Sequence, residues 1–408
     1  MLRINDERLW DSLMQMARIG ATEKGGCNRQ ALTDEDREGR DLFCQWAREA
    51  GCRIRIDQMG NIFARRAGSN SELAPVIAGS HLDTQPTGGK FDGVYGVLAA
   101  LEVIRSLNDA GIETSHPVEA VVWTNEEGAR FSPAMVGSGV WCGEFELSYG
   151  HSREDRDGHR LGDELKRIGY LGEDACEPFE VKAAFEVHIE QGPILESEKI
   201  QVGVLTGVQG MRWYDLVLEG ESCHAGPTPM EMRRDPVMGL HLLLAEYYEL
   251  ARQHGPLARI TFGDMQVEPG ARNTVPEYIR TTIDLRHPDE EVLEEIEISL
   301  IRTLERVCDD KRLSGSLNTE WKSPAIKFND SCVATVQDAV DELGFSNKRM
   351  VSGAGHDSVY VSRVAPTSMI FIPCERGLSH NEEENASKDD ISAGCDVLLH
   401  AMLKMAQS

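Results

Sequence analysis

Residues 75–84 read PVIAGSHLDT. A proline followed by an apolar run that ends in small residues is the pattern of a short buried strand, and it places His81 at the strand's C-terminal end. Residues 117–124, PVEAVVWT, repeat the pattern, with residues 125–128 (NEEG) at the end. A third run, 183–189, carries His188. Between the first two runs, residues 94–107 put Leu98, Leu101, Val103 and Ile104 on an apolar helical face. Buried strands alternating with helices indicate an α/β unit with a mixed, largely parallel sheet flanked by helices. Ligands of such sheets bind at the C-terminal ends of the strands, where these histidines and carboxylates fall.

Outward from this core, residues 4–20 and 33–50 have helical spacing, and 53–56 and 61–65 read as short strands around a turn at Met59 and Gly60. The middle of the chain has another character. Residues 211–219, 260–267, 278–286 and 314–321 read as strands, and 236–253 and 290–309 as amphipathic helices. The order β-α-β-β-α-β predicts a ferredoxin-like α+β sandwich. Mixed α/β character resumes at 333–343 and 367–372. The expected organisation is a discontinuous domain, 1–208 and 326–408, interrupted by an insert at 209–325.

The 408 residues carry a formal net charge of −26. Such a surface repels nucleic acid and anionic lipid, so neither is an expected partner. The first twenty residues lack a continuous apolar stretch and bear early acidic groups, so no export signal is expected. No apolar run is long enough to span a membrane. The ten cysteines form no CxxC pair and read as reduced thiols in a cytoplasmic protein.

Five segments carry the chemistry: GSHLDT (79–84), GGKFDGVYG (88–96), WTNEEGARF (123–131), FEVHIEQGP (185–193) and GLSHNEEE (377–384). They offer three imidazoles and two carboxylates, a set that suits zinc and its first-row neighbours. Two such ions can share a bridging carboxylate and clamp a hydrolytic transition state. The expected ligands are His81, Asp92, Glu127, His188 and His380, with Asp92 bridging among glycines that allow close backbone approach. Glu126 diverges from its neighbour Glu127 and is the expected general base. Asp83, two residues beyond His81, is expected to hold the imidazole N–H. Glu382–Glu384, following His380, reads as surface charge.

The order His81, Asp83, Asp92, Glu126-Glu127, His188, His380 resembles the aminoacylase/carboxypeptidase superfamily of co-catalytic zinc peptidases. Within it, HIEQGP (188–193), HAGPTPM (224–230), RNTVP (272–276), DLRHP (284–288) and GAGHD (353–357) resemble the hydantoinase/carbamoylase branch. That branch includes N-carbamoyl-L-amino acid hydrolases, β-ureidopropionases and allantoate amidohydrolases. The resemblance implies a zinc-peptidase-like catalytic domain and two divalent ions per subunit, zinc first, with manganese, cobalt or nickel also suited. It implies a homodimer built through the insert, its active site completed by the partner subunit. It also implies that Gln191 contacts substrate, that Asn273 and Arg286 bind the substrate carboxylate, and that His224 donates to the oxyanion. The turn Gly353, Ala354 and Gly355 would offer backbone N–H groups, supported by His356. The implied reaction is hydrolysis of a small-molecule ureido acid, foremost an N-carbamoyl-L-amino acid, with allantoate and N-carbamoyl-β-alanine as alternatives. An inert metal-binding dimeric scaffold would need the ligands without the base, and Glu126, Asp83 and His224 are all present.

Overall fold

The computed structural model describes residues 2–408. The chain packs into two compact units, one of residues up to Gly207 together with Lys327–Ser408, the other Val208–Ile326.

The first unit is built on a mixed sheet. From one edge its strands run Arg53–Ile56, Ile62–Arg66, Val118–Trp123, Val76–His81, Ala183–Ile189, Thr367–Ile372 and Val202–Val208, and Asn347–Ser352 pairs with the last of these. The four central strands are parallel, and antiparallel strands flank them. Val76–His81, Val118–Trp123, Ala183–Ile189 and Thr367–Ile372 are buried along their whole length. That burial explains why these runs are mostly apolar, because a parallel sheet is covered on both faces, with Glu119 and Glu186 buried among them. Helices Val94–Asp109 and Lys388–Gln407 pack on the parallel strands and on each other. Ile77, Val121, Ala184, Trp123, Trp141 and Val361 form a cluster that brings the short helices Val136–Trp141 and Ser358–Val361 into contact with the sheet. The helix expected over 4–20 is confined to Asp6–Met16, where Asn5 caps it by accepting from Arg8 N. Among the described residues no helix is long and apolar enough to cross a membrane.

In the parallel core, His81 ends level with Trp123, and His188 sits opposite Phe371. The reactive residues therefore share one end of the sheet. Phe328 N donates to Thr206 O at 3.0 Å, so the chain leaves and re-enters this unit at adjacent points.

The second unit has the strand order Ser314–Ser323, Gly210–Glu219, Tyr278–His287, Arg259–Glu268, all neighbours antiparallel. Helices Pro236–Gln253 and Glu290–Lys311 pack together, and their Leu243, Tyr247, Ile296 and Leu300 meet Leu216, Leu218, Ile279 and Ile283 of the sheet. Tyr278–His287 alternates half-buried and buried residues along its length, as expected of a strand with a single covered face. The long elements follow the expected order β-α-β-β-α-β, and a separate two-stranded ribbon, Cys223–His224 with Thr274–Val275, is added to them.

Candidate metal centre

Three strand ends and two loops converge in the first unit. His81 closes its strand. Asn125, with φ +58°, turns the chain after Val118–Trp123 and is pinned by its own amide donating to Phe131 O at 2.8 Å. The turn aims Glu126 toward His81 and Glu127 toward His380. Asp92 precedes Gly93, whose φ is +65°, and a Cβ there would lie 2.3 Å from the His81 ring, so only glycine lets the loop approach. Gln191 and His380 also have positive φ, 57° and 54°. Strained backbone of this kind collects where side chains must be aimed.

The Asp92 carboxylate lies between two sets of donors. Its Oδ1 is 3.2 Å from His188 Nε2 and 3.7 Å from His81 Nε2. Its Oδ2 is 3.6 Å from His380 Nε2, and that nitrogen is 3.4 Å from Glu127 Oε2. Two groups able to hold a cation result, His81–Asp92–His188 and Asp92–Glu127–His380, and they share Asp92. Glu126 Oε2 stands 3.4 Å from His81 Nε2 and belongs to neither group.

The outward nitrogens are fixed. His81 Nδ1 faces the carbonyl of Asp83 at 2.8 Å and His188 Nδ1 faces the carbonyl of Ile189 at 2.9 Å. A carbonyl only accepts, so each Nδ1 carries a proton, and Nε2 is the nitrogen left to offer a lone pair to a cation when the ring is neutral. The first of these contacts corrects an expectation. Asp83 holds His81 through its backbone, not its side chain. Its carboxylate instead accepts from the backbone N–H groups of Glu126 (3.3 Å) and Glu127 (3.2 Å).

The electrostatics call for positive charge. Asp83, Asp92, Glu126 and Glu384 are buried. Burial, reinforced by neighbouring carboxylates, raises the pKa of Glu126 and Glu127, pushes Asp83 up to about 7 and Glu384 up to about 8. Burial pushes His81 down to about 4. Burial also opposes a proton on His188, yet Asp92 beside it draws the pKa up to about 9. The buried cation Arg40 is engaged with Asp36. Clustered carboxylates beside lone-pair nitrogens are the donor chemistry of a divalent cation site, so these residues fit the expected metals.

The sequence matches the peptidase family M20/M25/M40 over residues 77–404. The chain belongs to that family. M20 proteins are metal-dependent hydrolases, and candidate ligand groups are present in this one. This M20 chain is 46% identical to an N-carbamoyl-L-amino-acid amidohydrolase of Rhizobium meliloti over 99% of its length and 97% of the relative's. It is 35% identical to an N-carbamoyl-L-amino acid amidohydrolase of Geobacillus stearothermophilus, over 99% of both chains. The crystal structure of a hydantoinase/carbamoylase family amidase from Burkholderia multivorans superimposes with a TM-score of 0.97 at 51% identity, over 100% of this chain and 99% of that one.

Other residues expected in the M20 site fall as follows. Gln191 donates from Nε2 to Asp92 Oδ2 (2.9 Å) and Ser379 Oγ (3.2 Å), while its buried Oε1 has no hydrogen-bond partner among the described residues. His356 is buried with its ring 4.7 Å from that of His188, edge to face, and its Nε2 lies 2.9 Å from Ser352 Oγ. Gly353, Ala354 and Gly355 form the turn between Asn347–Ser352 and Ser358–Val361. The expectation of free N–H groups there is corrected at Ala354, whose N–H turns back to Ser352 Oγ at 3.1 Å. In the second unit, His224 and Asn273 share one small ribbon. His224 pairs with Thr274, and Ala225 N donates to Asn273 O at 3.0 Å. Arg286 lies on Tyr278–His287 and its fork grips Asp284, with Nη2 2.7 Å from Oδ2.

Sequence reasoning missed Ser379 and Glu384. Glu382 and Glu383 pair with Lys24 and Arg376 at the surface, as the charge run suggested. Glu384 does not. It is 1% exposed, accepts from Phe91 N and Asp92 N, and lies 3.2 Å from Ser379 Oγ. No local signal separates it from its two neighbours. Behind the site Glu186 accepts from Ser80 and Ser358, a second buried carboxylate that the sequence did not announce.

Proposed function

We propose that the chain hydrolyses N-carbamoyl-L-amino acids, breaking the bond between the carbamoyl carbon and the amino acid nitrogen. What carries the reading is likeness, over nearly the whole chain, to amidohydrolases of that name. The position of Glu126, beside the ligand-type His81 yet outside both Asp92 groups, supports it.

In this reading His81, Asp92 and His188 hold one divalent ion and Asp92, Glu127 and His380 a second. Zinc suits the donors best, and manganese, cobalt or nickel are compatible with them. When bound, such a pair supplies Lewis acidity toward a carbonyl oxygen and lowers the pKa of water. Glu126 takes a proton from the attacking water and returns it to the amino acid nitrogen as the C–N bond breaks. The carbamate set free breaks down to ammonia and carbon dioxide, leaving the L-amino acid.

Gln191 and the Gly353–Gly355 turn with His356 are assigned to substrate contact, and Asn273 and Arg286 to its carboxylate. His224 is assigned to the oxygen that gains charge. Its Nδ1 accepts from Gly226 N at 3.1 Å, so its proton is on Nε2. The working form is a homodimer joined through the 209–325 insert, with the partner supplying part of the substrate set. The ten free cysteines fit a reducing, cytoplasmic setting.

The test is ammonia release by metal-loaded protein from N-carbamoyl-L-methionine, N-carbamoyl-β-alanine and allantoate, with a dipeptide scored for cleavage. The first is expected to turn over fastest. Cleavage of the dipeptide alone, or full activity in Glu126→Gln, would overturn the assignment.

A further inference from the structure

We infer that Glu384 is a positioning residue that sets Asp92 in place and ties it to the loop bearing His380. The inference rests on the reading of Asp92 and His380 as metal ligands.

The geometry is that of a clamp. Glu384 Oε1 accepts from two successive backbone N–H groups, Phe91 at 3.1 Å and Asp92 at 3.0 Å. Its Oε2 is 3.2 Å from Ser379 Oγ, and that hydroxyl is 2.9 Å from Asp92 Oδ2. Glu384 thus reaches both ends of Asp92, the backbone directly and the carboxylate through Ser379. Ser379 and His380 are neighbours, so the same contacts set His380 relative to Asp92. The loop is braced at its own end by Glu384 N donating to Asn381 O at 3.0 Å.

Space has been made for this carboxylate. A Cβ on Gly89 would lie 2.1 Å from the Glu384 carboxyl carbon, so the loop before Asp92 approaches it closer than any other residue permits. Burying a carboxylate beside Asp92 is costly unless its oxygens are satisfied. Three contacts with the ligand loops, from Phe91 N, Asp92 N and Ser379 Oγ, account for its presence, and groups that orient ligands tune metal affinity.

Affinity for zinc and cobalt, measured by chelator competition on the full chain after metal removal, tests the inference. Glu384→Ala is expected to lower affinity about 10- to 100-fold. Glu384→Gln keeps an acceptor for Phe91 and Asp92 and is expected to lie closer to the parent protein. Glu102→Gln alters a buried carboxylate bound to Arg8 and is expected to lower thermal stability without moving metal affinity. If Glu384→Ala does not fold, Gly89→Ala, which displaces the carboxylate, is expected to show the loss. Affinity within about twofold of the parent in the folded variant, or an equal loss in Glu102→Gln, overturns the inference. A parent protein that binds neither ion overturns the metal-site reading instead.

Discussion

His81 donates its Nδ1–H to the backbone carbonyl of Asp83 at 2.8 Å, while the Asp83 carboxylate stands 4.0 Å from the same nitrogen. That carboxylate serves the Glu126–Glu127 turn. Asp83→Ala is therefore expected to spare the ion held by His81, Asp92 and His188, to loosen the one held with Glu127, and to reduce kcat. A hydrogen bond to a charged group contributes about 1.5–3 kcal/mol, which corresponds to roughly 10- to 100-fold in rate. Metal content and kcat measured together check this. Equal loss of both ions would show that the side chain orients His81 after all.

Asp92 serves both donor groups, His380 only one. Asp92→Ala is expected to leave the purified protein with almost no divalent ion. His380→Ala is expected to retain about one ion per chain, on His81, Asp92 and His188. Elemental analysis after dialysis distinguishes them. Equal retention in the two variants would mean that Asp92 is not shared.

Arg40 is fully buried. It binds Asp36 Oδ2 at 2.8 Å, Gly60 O at 2.8 Å and Thr124 Oγ1 at 3.3 Å, just before the Asn125 turn. Arg40→Met strands the Asp36 charge and is expected to cost about 3–5 kcal/mol. The double variant with Asp36→Leu should recover most of that loss. Urea unfolding of the three proteins gives the answer. A single variant as stable as the parent would remove Arg40 from the framework of the site.

Burial raises the thiol pKa of Cys52 and of Cys332 to about 11 and raises that of Cys395 as well. A thiol whose folded pKa is raised stays protonated, and so unreactive, until the pH passes that value. Below pH 9 these three are expected to resist iodoacetamide in the folded protein, while half-buried Cys223 is modified first. Peptide mass mapping after brief labelling reads the order. Early loss of Cys395 would contradict the packing of helix Lys388–Gln407.

Much of this was legible before the fold was seen, and the reasons are local. Strands buried on both faces leave predominantly apolar runs, so Val76–His81, Val118–Trp123 and Ala183–Ile189 are legible, each with a reactive residue at or near its end. The insert showed itself by alternation in its strands and stripes in its long helices. Helix Lys388–Gln407 gave no such stripe because it is covered on several sides, with buried residues running from Ile391 to Met402. Glu384 was misread because its partners, Phe91 and Asp92, lie 293 and 292 positions away in the sequence. The role of Asp83 turned on which of its oxygens faces His81, and residue type says nothing about that.

The hydrogen bond from Phe328 to Thr206 closes the first unit at the point where the chain leaves for Val208–Ile326 and returns. The two ends of the insert are close enough for a tight turn to join them. All five expected ligands lie outside it in sequence, so excision or exchange of 209–325 leaves their scaffold topologically continuous. A change in the length of Val208–Ile326 therefore need not alter the connection between the two parts of the first unit.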